Sequence, residues 1–555
     1  MEATNTTLKQ ILKLRKQFYI TLLISLFCFG FKGYSQASKK PNILWITCED
    51  MSMHLSCFGE KEISTPNLDK LASEGIKFSN VYTAAGVCAP SRSAIITGMY
   101  PSSIGTDNMR NYNPGKKADV NAPVPSYSVV VPSYVKCFSE YLRENGYYCT
   151  NNPKQDYQFQ APVTAWDESS TKAHWRNRLK GRPFFSVFNL FITHESQLWA
   201  RDKESLLVDP AKVIVPPYYP DVPEVRHDIA RNLTNIIRMD QQVGKIIEEL
   251  KQDGLYDNTI IFFYSDHGDG LPYVKREVLT RGLHIPLIVR FPGNKNAGTI
   301  DNELISGVDF APTVLSLAGI PIPPYLQGQA FLGKQKSKKH RTYIYAARDR
   351  MDTEVDRVRA VFDSRYEYLR NYMPEKPYYQ NIAYRLQIPM MRKILAMKDS
   401  GQLNELQMRW FRPNKPLEEL YDTKTDPYEF HNLADNPKYK NILIKLRAAH
   451  EEWMKKVGDR NATPEKSLIK KMWNGKDTPP VTDQPVIVKK KNGVTISCAT
   501  KGASIGFKIF KKGTTETPAS WAVYQSGEIN LQHGDKLVVQ AQRIGYEPAQ
   551  ATLLF

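Results

Sequence analysis

Acidic, basic and thiol groups recur in this chain just past short apolar runs, where a folded sheet would gather them. Residues 41–47 read Pro-Asn-Ile-Leu-Trp-Ile-Thr, and Glu49 and Asp50 follow one residue later. Residues 259–264 read Thr-Ile-Ile-Phe-Phe-Tyr and lead into Ser265-Asp266-His267-Gly268. A third apolar run, 183–192, ends in Thr193-His194-Glu195. Runs apolar on both faces suit buried parallel strands, and ligands collect at the carboxyl ends of such strands. A further segment, Cys88-Ala89-Pro90-Ser91-Arg92-Ser93-Ala94-Ile95-Ile96-Thr97-Gly98, carries a thiol and a guanidinium close together. Taken singly, an acidic pair at a strand end is ordinarily solvated, a lone lysine is ordinarily on the surface, and a cysteine ahead of a helix is ordinarily a small buried hydrophobe.

The cysteine segment resembles the signature of the sulfatase family, within the alkaline-phosphatase-like superfamily. That signature is Cys-X-Pro-Ser-Arg followed after four residues by Thr-Gly, and it is complete here from Cys88 to Gly98. The resemblance implies that Cys88 is oxidised to formylglycine by a sulfatase-maturating enzyme that reads Pro90 and Arg92. The chemistry explains the modification. A hydrated aldehyde has two hydroxyls on one carbon, so one can attack sulfur and displace the alcohol, and the other can then lose its proton and expel sulfate as the aldehyde reforms. A plain serine or cysteine has no second hydroxyl and would stall.

The resemblance also implies a metal site made of Glu49, Asp50, Asp266 and His267 beside the modified Cys88. Three hard carboxylates suit one calcium ion, which stabilises an ionised hydroxyl and the sulfate oxygens. Glu49 stands where the family usually has Asp, and His267 is a softer ligand than the Asn often found there, which leaves other divalent ions open. Arg92, Lys154, His194 and Lys275 match the family's sulfate-binding and catalytic positions. They are expected to stabilise charge on the sulfuryl and leaving oxygens, with either His194 or Lys275 protonating the leaving group. The resemblance spans residues 41–437. The stretch from residue 215 through residue 272 looks most like the heparan N-sulfatase (sulfamidase-like) branch, whereas Gly307-Val308-Asp309-Phe310-Ala311-Pro312-Thr313 and Leu420-Tyr421-Asp422-Thr423 read as structural.

The elements that must position these groups alternate between strand and helix. A helix is expected over 65–74 with Thr65 as its N-cap, and a long amphipathic helix over 222–253. Strands alternating with helices argue for an α/β fold, and the resemblance implies an alkaline-phosphatase-like mixed sheet flanked by helices. From about residue 341 shorter strands mix with helices, which reads as a smaller α+β subdomain. Asp477-Thr478-Pro479-Pro480 reads as a linker, and the short β-like stretches after it read as a small β-sandwich. The expected organisation is a signal peptide over 1–37, a catalytic α/β domain over 38–335, the α+β subdomain over 336–476, a linker over 477–484 and the tail over 485–555. The tail is similar to the β-sandwich appended to some bacterial glycosidases, and packing against the enzyme is its expected role.

Composition narrows the partners. Lys and Arg (75) exceed Asp and Glu (57) by 18, which favours an anionic partner over a neutral one, although a solvated basic surface would give the same balance. Lys9, Lys13, Arg15 and Lys16 precede an apolar run over 18–31 and small residues near Ala37, the pattern of a secretory signal. Large residues around Cys28 argue against lipid attachment, and no later run reaches a membrane span. The expected protein is therefore periplasmic or secreted, with a sulfated oligosaccharide or polysaccharide as partner, no nucleic acid and no membrane span. The seven cysteines include no CxxC zinc pair and form no disulfide framework. Arg348, Arg350, Arg357 and Arg359, interleaved with acids, would either meet uronate carboxylates or form a salt-bridged surface. A glycosaminoglycan of heparan type and an ulvan-like algal polysaccharide are the substrate classes. The rival readings are a phosphoester hydrolase of the same superfamily and an inactive polysaccharide-binding protein.

Overall fold

Alternation of side chains across a strand decides where the core lies. In the computed structural model, which describes residues 40–112, 123–514 and 518–555, the first strand is Asn42–Cys48 and is buried throughout. Ile43 and Trp45 join one hydrophobic cluster, and Leu44, Ile46 and Cys48 join the other. The neighbouring strand Thr259–Ser265 divides in the same way, with Ile260, Phe262 and Tyr264 on the first face and Ile261 and Phe263 on the second. A strand covered on both faces gains about 1.5–3 kcal/mol for each large apolar side chain it buries, which is why these runs carry no polar alternation. The residues expected to form the signal segment lie outside those described.

The sheet has eight strands in the order Glu168–Ser169, Tyr148–Asn152, Phe184–Leu190, Asn42–Cys48, Thr259–Ser265, Leu287–Arg290, Ile76–Phe78 and Thr299–Asp301. All run the same way except Leu287–Arg290, so the sheet is mixed. The register pairs Cys48 with both Leu190 and Ser265, which brings the residues after all three strands to one edge. Helix Pro223–Gln252 covers one face with Val225, Ile229, Leu233, Ile236, Val243, Ile247 and Leu250. Its Asp240 accepts the backbone N–H groups of Asn67 and Leu68 and so caps helix Pro66–Ser73. Thr65, the expected cap, is instead bonded to Ser56. A carboxylate supplied from another helix does the work of the local hydroxyl.

A smaller antiparallel sheet, Ile344–Arg348, Val358–Phe362, Tyr366–Asn371 and Glu418–Asp422, follows, with helix Lys440–Val457 packed on it through Leu443, Leu446 and Ala449. The tail forms two antiparallel sheets closed over Val494, Ile496, Leu531, Leu537 and Val539. It packs on helix Phe138–Glu144. Ser504 donates to the Glu140 carboxylate, and Arg143 donates to the Trp521 carbonyl. No helix among the described residues is long and apolar enough to cross a membrane.

Candidate active site

The site grows from three strand ends and one helix start. Past Asn42–Cys48 the backbone turns at Asp50, whose φ of 52° lies in the left-handed region that Asp tolerates better than most residues. The turn is fixed by the Asp50 N–H bonding Asp266 Oδ1 (3.1 Å) and the Met51 N–H bonding Ser265 Oγ (3.0 Å). Helix Cys88–Thr97 begins at Cys88 itself, with Pro90 in its first turn where no N–H is missed, and ends at Gly98 in the left-handed conformation. The Cys88 side chain therefore sits at the positive end of a helix, which favours an anion there.

Cys88 Sγ lies 3.2 Å from His267 Nε2 and 3.6 Å from Asp50 Oδ1. His267 Nδ1 donates to the Gly268 carbonyl (2.8 Å), so in its neutral form the Nε2 lone pair faces the sulfur and the carboxylates. The ligand atoms of Asp50, Cys88, Asp266 and His267 all lie within 4.8 Å of one another, as do those of Glu49, Asp50, Cys88 and His194. The four expected metal ligands thus fall into two overlapping groups that share Asp50 and Cys88. Burial would lower the His267 pKa, but Asp266, Cys88 and Asp50 push it up to about 10.

Cations surround this centre. Arg92 Nε donates to Asp266 Oδ2 (2.9 Å) and its Nη1 to Asn189 Oδ1 (2.6 Å). Lys154 Nζ bonds Glu49 Oε2 at 2.6 Å. Lys275 Nζ bonds Asp50 Oδ2 and lies 3.3 Å from Glu195 Oε1. Burial would strip protons from both lysines. The acids beside them, with Cys88, hold both ammoniums charged well above their usual range. His194 goes the other way. Burial first, then the charge of Lys275, brings its pKa down to about 3. The Ser196 N–H points at His194 Nδ1 (3.2 Å), which leaves the proton of the neutral ring on Nε2, 3.8 Å from Glu49 Oε2.

The donor set fits a hard cation. Glu49 Oε1 is buried without a hydrogen-bond partner among the described residues, and so is Arg92 Nη2, 3.9 Å away. A buried carboxylate oxygen left unbonded is costly, and its place beside converging carboxylates suits an ion or an ordered oxygen. The loop carrying Lys275 can approach only because residue 270 is glycine. A Cβ there would sit 2.8 Å from the Glu195 Cα and 3.0 Å from Asp50 Oδ2.

Every expected site residue is at this edge of the sheet. Sequence reasoning missed Asn189, which orients Arg92, and Glu195, which holds Lys275 and receives Arg276 at 2.8 and 2.6 Å. An Asn near the end of an otherwise apolar run was the available signal for the first. Three of the four clustered arginines are salt-bridged. Arg348 pairs with Glu277 and Asp356, Arg350 with Glu465, and Arg359 with Asp349 and Asp459, and all three arginines are buried. Arg357 alone is partly open. It lies 4.4 Å over the Tyr372 ring, beside a cleft of about 470 Å³. The six cysteines among the described residues are all free thiols.

Comparison with known proteins agrees with this geometry. The family model "Sulfatase" matches residues 41–320, and the model "N-sulphoglucosamine sulphohydrolase, C-terminal" matches residues 268–380. An "Ulvan-active sulfatase" of Formosa agariphila is 47% identical over 548 residues, covering 92% of this chain and 91% of that protein. The human "N-sulphoglucosamine sulphohydrolase" is 24% identical over 474 residues, covering 76% and 91%. A solved structure described as a "2-O GAG sulfatase" shares the fold with a TM-score of 0.56 at 21% identity, over 76% of this chain and 94% of that one. The chain belongs to the sulfatase family and is a sulfuric ester hydrolase.

Proposed function

We propose that this protein is an exported sulfatase, dependent on formylglycine at position 88 and on calcium, that removes sulfate from a uronate-containing polysaccharide of ulvan type. The observation that carries the reading is the convergence of Asp50, Asp266 and His267 on Cys88 Sγ inside a ring of Arg92, Lys154 and Lys275. Formylglycine would supply an oxygen nucleophile able to release its sulfate afterwards, which a thiol cannot. Calcium held by Glu49, Asp50, Asp266 and His267 would supply charge for the ionised nucleophile and the sulfate oxygens.

The chain's own residues do the rest. Arg92, locked by Asp266 and Asn189, keeps its guanidinium at the helix start, where a sulfate oxygen would arrive. Lys154 and Lys275 enter as ammoniums, pinned by Glu49 and Asp50, and lose no reorganisation energy as charge builds on sulfur's oxygens. Between the two candidates for the leaving-group proton, Lys275 is the cationic donor. His194, neutral with its proton on Nε2, acts as a hydrogen-bond donor to the departing oxygen. Near-complete burial of the site keeps water from competing for these groups.

The substrate class rests on the ulvan-active relative, which is nearly twice as similar to this chain as the human N-sulfatase. Export rests on the basic and apolar pattern before residue 37, and a maturating enzyme on the intact motif from Cys88 to Arg92. The test is desulfation of defined ulvan oligosaccharides by protein whose Cys88 peptide is also weighed. The peptide should be about 18 Da lighter than the thiol form, the difference between thiol and aldehyde. Chelation should slow desulfation by about a hundredfold or more, and calcium should restore it. Turnover confined to phosphate esters, or unaltered by chelation, would sink the reading.

A further inference from the structure

Beside His194 the chain presents aromatic rings. Phe191 stacks on the His194 imidazole, with centroids 4.7 Å apart and planes at 18°, yet remains 49% exposed. A large apolar ring open to solvent against a site residue is placed to receive the apolar face of a sugar. Past His194 comes Tyr384, with centroids 6.3 Å apart, and Trp199 braces Tyr384 edge-on at 5.0 Å. Above Tyr384, at 4.5 Å from its centroid, lies the guanidinium of Arg110, which pairs through Nε with Asp352.

Arg110 differs from the other arginines around the site. The side chains of Arg92, Arg276 and Arg385 are 7%, 1% and 1% exposed, whereas that of Arg110 is 31% exposed. Its backbone is held at a φ of 61°, a conformation that a non-glycine residue keeps only when its flanks are fixed. They are fixed. The Met109 N–H bonds the Arg350 carbonyl at 2.7 Å, and the Asn111 N–H bonds Gln158 Oε1 at 2.9 Å. A planar cation stacked on a ring, oriented by an acid and open to solvent, is built to meet a carboxylate.

We infer that Phe191, Tyr384 and Arg110 form a subsite for the sugar adjoining the sulfated one, and that Arg110 selects for a carboxylate on that sugar. The inference rests on the polysaccharide sulfatase reading and extends it to the neighbouring unit. Phe191 supplies contact area indifferent to charge, and Arg110 supplies the discrimination, so the two contributions separate by experiment.

The test compares a sulfated ulvan-type oligosaccharide with the same oligosaccharide after reduction of its uronate carboxyl to an alcohol. The wild-type enzyme should favour the uronate form by about tenfold or more in kcat/KM, expressed mostly in KM. Arg110→Ala should bring the ratio close to one, and Arg110→Lys should restore part of it. Phe191→Ala should raise KM on both forms alike and leave the ratio as it was. The inference is overturned if the wild type shows no preference, which needs no variant to fold, or if Arg110→Ala keeps the preference. If the wild type cleaves an aryl sulfate but neither oligosaccharide, the polysaccharide reading falls and the subsite with it. If it cleaves both oligosaccharides equally, only the subsite falls.

Discussion

Two buried clusters in this protein are built from the same ingredients and arranged in opposite ways. At the active site Asp50 and Asp266 each turn one oxygen outward to a cation, Lys275 or Arg92, and keep the other turned inward. The inward atoms lie within 4.8 Å of Cys88 Sγ and a His267 ring nitrogen. In the second cluster the cations sit between the acids. Arg359 reaches Asp349 at 2.9 Å and Asp459 at 3.0 Å, and Arg348 bridges Glu277 and Asp356, with Lys415 also on Asp356 at 2.9 Å. The first arrangement gathers two carboxylate oxygens, a thiol and an imidazole nitrogen about one point. The second interleaves Arg348, Arg359 and Lys415 with the acids, so that each cation lies directly against a carboxylate. Residue type alone does not separate the two. What separates them is whether opposite charges alternate in space.

The contrast can be broken at its sharpest point by Cys88→Ser, made in a host without a serine-modifying system. Turnover should fall by about a thousandfold or more, while the unfolding free energy changes by less than about 1 kcal/mol, because serine keeps one of the two hydroxyls of the hydrated formylglycine in nearly the same shape. A serine variant with full multiple turnover would end the formylglycine reading.

The second cluster should respond in the reverse sense. Arg359→Met leaves Asp349 and Asp459 buried without their shared cation and should destabilise the fold by about 3–5 kcal/mol in denaturant unfolding. The surviving folded fraction should keep its specific activity. A midpoint unchanged within error would show that these acids are compensated elsewhere.

The smallest expected effect sharpens the electrostatics around that arginine. Burial, followed by the charges of Arg359 and Arg370, lowers the His450 pKa to about 4. A histidine depressed in the folded state leaves stability complete above its unfolded pKa of about 6.5, and stability falls as pH drops from there towards the folded value. Between pH 7 and 5 His450 should account for about 2 kcal/mol of acid destabilisation. His450→Gln should flatten the pH dependence of the unfolding midpoint by that amount, and an unaltered slope would assign the acid sensitivity to other groups.

Much of the site was legible because its chemistry is local in sequence. Glu49-Asp50 and Asp266-His267 follow apolar runs, and parallel neighbours paired at Cys48 and Ser265 must deliver those residues to one edge. The fold class was legible for the same reason, since strands buried on both faces show up as unbroken apolar runs between helical patterns. The capping of helix Pro66–Ser73 was not, because Asp240 arrives from a helix far along the chain and displaces the obvious Thr65.

By itself, then, the sequence determined the sulfatase signature from Cys88 to Gly98, the acids at the strand ends and the order of strand and helix, because each is written in consecutive residues. Tertiary structure alone decided that Asn189 aims Arg92, that Glu195 holds Lys275, and that Arg348, Arg350 and Arg359 are interior braces while Arg110 reaches solvent at the site. These pairings join residues tens to hundreds of positions apart, where no periodicity records them. An arginine's role depends on whether an acid and a covering layer reach it first, and only the packing of the sheets and helices settles that.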